Sequence, residues 1–173
     1  MHISKITLEN FKSFKGNHII ELSEGINFFV GDNNTGKTTI LKSIEFITTK
    51  GAGKDDFISN GYGDDDEVSV EIEIRGDDLD QLINNIDKLT RYKKFLIDDG
   101  SVKYLRIKRS SKEEDIVVGG KSKKLTIKEL RLFNPKSKQF ENGIGVDTTI
   151  SALIDAQFVW SDIRNDEYQD FKN

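Results

Sequence analysis

Cysteine is absent from this chain of 173 residues, so neither a disulfide nor a thiolate metal site can form. Histidine occurs only at His2 and His18, which leaves little for a zinc site and makes any expected metal a hard, oxygen-bound one. No apolar run approaches the roughly 20 residues that cross a bilayer. The opening "MHISKITLENFKSF" alternates and carries charge where a secretion signal would show a basic start and an apolar block. These absences predict no membrane span and a cytoplasmic location. Internal repeats and low-complexity tracts are missing as well.

What is present suits one domain, or one domain with a sizeable insertion: 35% hydrophobic and 32% charged residues over a length that can bury a core. The net charge of −4 hides an asymmetry. Residues 1–87 carry eight Lys and Arg against seventeen Asp and Glu, residues 88–138 sixteen against six, and residues 139–173 two against seven. A basic middle between acidic ends fits a surface for nucleic acid or another polyanion. It fits equally a set of hairpins whose solvent faces favour lysine.

"HISKITLEN" and "HIIEL" read as two strands joined by a turn at Lys15, Gly16 and Asn17. "INFFV", 26–30, reads as a short strand buried on both faces, and Ile40, Leu41, Ile44 and Ile47 then recur at helical spacing. Strand, loop and helix follow in the order of a parallel α/β core. Residues 50–67 are rich in Gly, Asp and Asn and read as loop. "VSVEIEIR" alternates as a strand, "LDQLINNIDKL" places Leu79, Leu82, Ile83, Ile86 and Leu89 on one helical face, and "DDGS" between "YKKFLI" and "VKYLRIKRS" predicts a hairpin. "KLTIKELRLF" reads as a strand closed by Pro135, and "AQFVW" as another buried strand.

The loop of "FFVGDNNTGKTTILKSIEFI" carries the chemistry. Gly31, Gly36, Lys37 and Thr38 satisfy G-x-x-x-x-G-K-[ST] between an expected strand and helix, the context that gives the pattern meaning. Glycines at both ends let the backbone curl with positive φ, so that successive N–H groups form a nest for phosphate oxygens. The helix N-terminus adds its dipole. Lys37 is expected to reach the β- and γ-phosphates of a nucleotide and the Thr38 hydroxyl to ligate Mg²⁺. Asn33, Asn34, Thr35 and Thr39 are expected to contribute mainly backbone donors, Thr39 on the α-phosphate side. No G-x-G-x-x-G is present, so this is not a dinucleotide fingerprint.

With its flanks, "ISKITLENFKSFKGNHIIELSEGINFFVGDNNTGKTTILKSIEFI" resembles the N-terminal segment of the ABC-type ATPases of the SMC, RecF and OLD (overcoming lysogenization defect) group. In that group a phrase like "NFRSF" precedes the second strand; here it is "NFKSF", Asn10–Phe14, and Ser13 lines the nucleotide site by the resemblance. "KDDFISNGYGDDDEVSVEIEI" and "AQFVWSDIRNDEYQDF" resemble later parts of the OLD branch. The resemblance implies an α/β P-loop NTPase of the ABC-ATPase head type, of which this is an N-terminal portion and an incomplete domain. It implies ATP and Mg²⁺ as ligands, a homodimer through the ATP site, and a parent acting on nucleic acid, with a C-terminal Toprim nuclease and a role in phage defence on the OLD branch. The alternatives are an SMC- or RecF-like repair ATPase without nuclease, and a non-hydrolysing module whose nucleotide sets the conformation of a DNA- or partner-binding lobe. The expected organisation is a core segment at 1–55, an inserted β-rich lobe with one helix at 56–140, basic over 88–138, and a return segment at 141–173.

Hydrolysis needs an apolar strand ending in Asp-Glu and, in this group, a signature helix of the "SGG" type. The chain contains neither, and no catalytic residue is identified. "FLIDDG" imitates the acidic strand end but reads better as a hairpin turn, "ALIDAQ" lacks the second acid, and the run Asp64–Glu67 reads as a solvated loop. No guanine-reading "NKxD" occurs, and ATP is preferred through the resemblance alone.

Overall fold

A computed structural model describes residues 1–48, 57, 66–85, 87–118, 120–143, 145–154 and 156–157. The first hairpin joins β1 (His2–Glu9) to β2 (Asn17–Glu21), with Ile6 opposite Ile20 and Leu8 opposite His18. Period-two alternation sends Ile6 and Leu8 wholly into the core. The turn between the strands is held by Asn10: its Oδ1 accepts the Gly16 N–H at 2.8 Å and its Nδ2 donates to the Glu67 carbonyl at 3.0 Å. Asn10 and Lys12 take φ of 49° and 52° there, a left-handed conformation that asparagine tolerates better than most residues.

The alternating stretch forms β3 (Ser69–Arg75), which buries Val70, Ile72 and Ile74 on one face. The "DDGS" hairpin joins β4 (Ile97–Asp98) to β5 (Lys103–Ser110). Asp98 Oδ1 accepts the Gly100 N–H, and Asp99 Oδ1 accepts those of Ser101 and Val102. These backbone bonds, that of Val102 foremost, with the Ser101 hydroxyl and nearby Arg75, hold the Asp99 carboxyl well below the usual range. The acidic pair therefore builds the hairpin and does not end an ATPase strand.

β6 (Glu114–Val118) and β7 (Lys121–Leu125) make a separate hairpin, followed by β8 (Arg131–Asn134) and β9 (Gln139–Glu141). "KLTIKELRLF" is thus not one strand. A turn at Thr126–Glu129 splits it, because Glu129 Oε2 accepts both the Thr126 N–H and its hydroxyl at 2.8 Å. The main sheet runs β2-β1-β3-β5-β8-β9 with β4 beside β5, and all these pairings are antiparallel. β1, from the segment expected as core, pairs along its length with β3, from the segment expected as lobe.

Among the described residues, four helices follow their apolar faces. α1 (Lys37–Thr48) buries Ile40, Phe46 and Ile47 and lies against β3 and β5. The single helix expected over "LDQLINNIDKL" is two, α2 (Leu79–Asn85) and α3 (Asp87–Thr90), with Leu79, Ile83 and Leu89 buried; Ile86 lies outside the described residues. α4 (Val146–Ile154) packs on α1. Each fully buried Leu, Ile or Phe contributes about 1.5–3 kcal/mol of transfer free energy, so the face of the sheet under α1 is the principal source of stability.

A further expected element is corrected. Residues 26–30 form no strand: the backbone is irregular, and Ile26, Phe28 and Val30 are 78%, 83% and 93% exposed. An apolar strand with two buried faces needs hydrogen-bonding neighbours, and among the described residues none lies alongside. Most of the 50–67 loop, and "AQFVW" beyond Gln157, fall outside the described residues.

The charge asymmetry resolves into cross-strand pairing. Arg106 pairs with Glu71, Lys108 with Glu67 at 2.7 Å, and Lys103 with Asp80 at 2.7 Å. Lys94 meets Glu141, Lys124 meets Glu113 and Arg131 meets Glu114. Of these pairs Arg106–Glu71 joins adjacent strands, β5 and β3, while Lys103 reaches Asp80 on a neighbouring helix and Lys108 reaches Glu67 just before β3.

Candidate phosphate site

The extended segment ending at Val30 leads into a tight loop, and α1 begins at Lys37. Gly36 has φ +94° and is buried, a conformation that favours glycine. Gly31 is glycine for space instead: its φ of 159° is nearly extended, but a Cβ there would stand 3.0 Å from Thr35 Oγ1. Between the two glycines Asn34 takes the left-handed conformation, at φ 65°.

Ser13, Asn33, Asn34, Gly36, Lys37, Thr38 and Thr39 together line a concavity of about 520 Å³. Gly31 and Thr35 are not part of that lining. Thr35 Oγ1 donates to the Asp32 carbonyl at 2.9 Å, and Lys37 Nζ donates to the Gly31 carbonyl at 2.6 Å and to that of Asp32. The ammonium is therefore held by the loop's own carbonyls, so an anion would exchange with neutral acceptors rather than with a carboxylate. Thr38 is exposed on the lining, and Ser13 Oγ lies 3.0 Å from Thr39 Oγ1.

The electrostatics follow from composition. The lining holds one cation and no carboxylate, and the first turn of α1 carries no acid, so its positive dipole end is not offset. Such a donor set suits a polyanion. It also suits Mg²⁺ bound through one protein hydroxyl, that of Thr38, because this ion usually keeps waters and substrate oxygens in its other positions.

Other acidic candidates are accounted for elsewhere. Burial works against ionisation of Glu67, but hydrogen bonds from Lys108 and Ser110 outweigh it and hold the carboxyl below its ordinary value. Asp64 and Asp65 of the same run, and Asp155, lie outside the described residues. Among the described residues no three His, Asp or Glu side chains gather as a metal site. No described helix is long and apolar enough to cross a membrane.

The sequence pattern did not mark Phe14 as part of the site, although its ring lies against Gly36. Its place in the "NFKSF" phrase is the one available signal. Lys12 of that phrase lies outside the lining, with Nζ 4.9 Å from the Phe57 ring centroid.

Known proteins resemble parts of this chain. A curated homologue of structural maintenance of chromosomes protein 3 from Plasmodium falciparum is 45% identical over 47 residues, 27% of this chain and 4% of that protein. The DNA replication and repair protein RecF of Clostridium botulinum is 46% identical over 46 residues, 27% of this chain and 12% of its own length. The chromosome partition protein Smc of Thermoplasma acidophilum is 30% identical over 89 residues, 47% of this chain and 8% of that protein. The chain thus spans only a small part of the curated relatives it matches. A solved structure from work on ATP-driven dimerization and DNA-stimulated activation of SMC ATPases superposes with TM-score 0.51 at 19% identity, covering 100% of this chain and 92% of the other. That likeness gives the fold, the N-terminal portion of an ABC-type ATPase head. The sequence profile of the AAA ATPase domain matches residues 1–169, and the chain belongs to the AAA ATPase domain family.

Proposed function

We propose that this chain binds Mg-ATP in the concavity at the start of α1 and supplies one half of a composite ATP site in a larger dimeric ATPase that acts on nucleic acid. The observation that carries the reading is the formed loop: a lining with one cation, hydroxyls and no carboxylate, at an unopposed helix N-terminus. In this reading Lys37 leaves the Gly31 and Asp32 carbonyls for the β- and γ-phosphates. Thr38 ligates Mg²⁺, whose charge offsets that of the phosphates. The backbone of Gly31, Asn33, Asn34, Thr35 and Gly36 cradles the phosphates, and Ser13 and Thr39 flank the α-phosphate. The division into core segment 1–55, lobe 56–140 and return segment 141–173 belongs to the same proposal. ATP-driven dimerization, described for the SMC ATPases that share the fold, supports the homodimer through the ATP site.

The test is calorimetric titration of Mg²⁺ with a non-hydrolysable ATP analogue into the chain and into Lys37→Ala. Saturable binding weakened about 10- to 100-fold in the variant is expected, as for the loss of a charge-assisted contact. Equal binding by both proteins sinks the assignment of Lys37.

Nucleic-acid contact is proposed through exposed lysines of the basic segment that make no salt bridge to a described carboxylate, among them Lys128, Lys136 and Lys138. Affinity for labelled duplex DNA should fall with salt as counterions are released. Absent or salt-insensitive binding would leave the segment as the solvent face of a sheet. The narrower OLD reading, with a Toprim nuclease and phage defence, rests on the resemblance at 54–74 and 156–171. A Glu and Asp-x-Asp set in the parent's C-terminal part would support it, and a long heptad coil would favour an SMC parent.

A second reading, in which nucleotide sets the conformation of the lobe without turnover, draws on Arg109. This β5 side chain is fully buried and donates to the carbonyls of Ile127, Lys128 and Ile47, the last in the final turn of α1. One guanidinium thus ties the helix that starts at the phosphate loop to the lobe. An ATP analogue that leaves DNA affinity unchanged overturns this reading.

A further inference from the structure

Gly36 is closed in by a side chain from a distant part of the chain. A Cβ built at position 36 would stand 2.9 Å from Phe14 Cζ, 3.0 Å from Phe14 Cε2 and 3.4 Å from Ser13 Oγ. The ring of Phe14 therefore fills the volume that any other residue at position 36 would need. Phe14 differs in this from Phe11 of the same phrase, which is wholly buried in the core against Phe46.

The turn that carries Phe14 is itself fixed at several points. Asn10 closes it across to Gly16 and ties it to Glu67. The Lys12 N–H donates to the Phe57 carbonyl at 2.8 Å and the Phe14 N–H to that of Phe11 at 2.9 Å. His18 meets the Phe14 ring edge-on, with centroids 5.1 Å apart, and its Nε2 lies 2.6 Å from the Lys15 carbonyl oxygen. One residue away, Ser13 Oγ reaches Thr39 Oγ1. Two neighbouring residues of one turn thus touch the phosphate loop at its last glycine and α1 in its first turn.

We propose that Phe14 is a positioning residue for the phosphate loop, backed by His18: its ring sets how deep Gly36 sits and so aims the backbone N–H groups that follow. Phe14 acts through Gly36 and makes no contact of its own with the ligand. The inference rests on the reading that the loop holds a phosphate chain. Its loss costs alignment of the donors and leaves the charge of Lys37 in place.

The experiment compares the full chain with Phe14→Ala, Phe14→Leu and Phe14→Tyr. It reads thermal stability, amide hydrogen exchange over 32–37 without ligand, and binding of inorganic tripolyphosphate and of a non-hydrolysable Mg-ATP analogue. In Phe14→Ala, loop exchange should quicken while that of β3 and β5 stays as in the parent. Both ligands should lose affinity by the same factor, roughly tenfold, the scale of one misaligned hydrogen bond. Phe14→Tyr, which keeps the ring, should restore both, and Phe14→Leu replaces Phe14→Ala in the comparison if the latter does not fold. Unchanged loop exchange and unchanged tripolyphosphate binding overturn the proposal. A loss confined to the nucleotide also overturns it, since the ring would then meet the base. If the unsubstituted chain binds neither ligand, the phosphate reading fails, and the ligand-free exchange still decides the brace: quickened exchange upholds it and unchanged exchange overturns it.

Discussion

The two sides of α1 are finished to different degrees. On one side lies the sheet of β3, β5 and β8, with Val70, Ile72, Ile107 and Leu132 fully buried and the cations of β5 matched to Glu67, Glu71 and Asp80. On the N-terminal side of α1 in the chain lies the segment that leads into the loop, where Phe29 packs against the core but Ile26, Phe28 and Val30 stand in solvent and no described strand pairs with them. A structure that satisfies its own groups is stable for internal reasons. A segment that leaves alternate apolar side chains exposed has the pattern of a buried strand without the neighbours that would bury it. The phosphate site sits at the junction, with a formed loop and an open approach.

The sharpest test of the closed side is Arg109. Its guanidinium carries no exposed surface and supplies donors to three carbonyls, with Asp147 3.8 Å away and the Phe46 ring beneath it. Burial lowers its pKa and Asp147 works against that shift. Arg109→Met keeps length and apolar stem but leaves the three carbonyls without a donor, at about 1–3 kcal/mol for each group left unsatisfied. A loss of at least about 3 kcal/mol is expected in urea unfolding, read as a lower midpoint at unchanged slope. A midpoint equal to that of the parent chain would mean that the lobe and α1 are not joined through this side chain.

A smaller effect is expected at Glu67, where the two sides differ in acid sensitivity. Its Oε1 accepts from Lys108 Nζ at 2.7 Å and from Ser110 Oγ at 2.8 Å, and its native pKa is lowered. A carboxyl whose native pKa lies below its unfolded value of about 4.3 contributes stability that is fully present above that value and fades as pH falls through the native one. The parent chain should therefore exceed Glu67→Gln in melting temperature at neutral pH, and the gap should narrow progressively as pH falls below about 4.3. A gap that persists in acid would assign the effect to packing rather than charge.

The closed side was largely legible, because period-two alternation in "VSVEIEIR" and the "DDGS" turn are local signals that tertiary packing did not override. The loop at 31–36 and the helix after it were legible for the same reason: eight consecutive positions carry the pattern. Residues 26–30 were misread because an apolar run specifies burial only when neighbours exist to bury it. The net charge of 88–138 was visible as a number, but its meaning depends on which strands become adjacent, and the β3–β5 register supplies that. α4 was missed although Val146, Ile150, Leu153 and Ile154 recur at helical spacing, since the β-branched run "TTI" obscured it. Phe14 could not be found locally, because its contact with Gly36 joins positions twenty-two apart.

The open side makes the smallest prediction for this chain and a large one for any longer ATPase that covers it. Phe28 is 83% exposed, so Phe28→Ser should change the unfolding free energy by no more than about 0.5 kcal/mol, and it should reduce self-association by removing an apolar group from solvent. A marked destabilisation would show that residues 26–30 are packed in solution and would erase the contrast between the two sides. In a protein whose remaining strands close over this segment, the same side chain becomes a core phenylalanine, and truncating it costs on the order of 3–5 kcal/mol. The ratio of the two effects measures how much of the burial beside the phosphate loop comes from residues beyond those of this sheet.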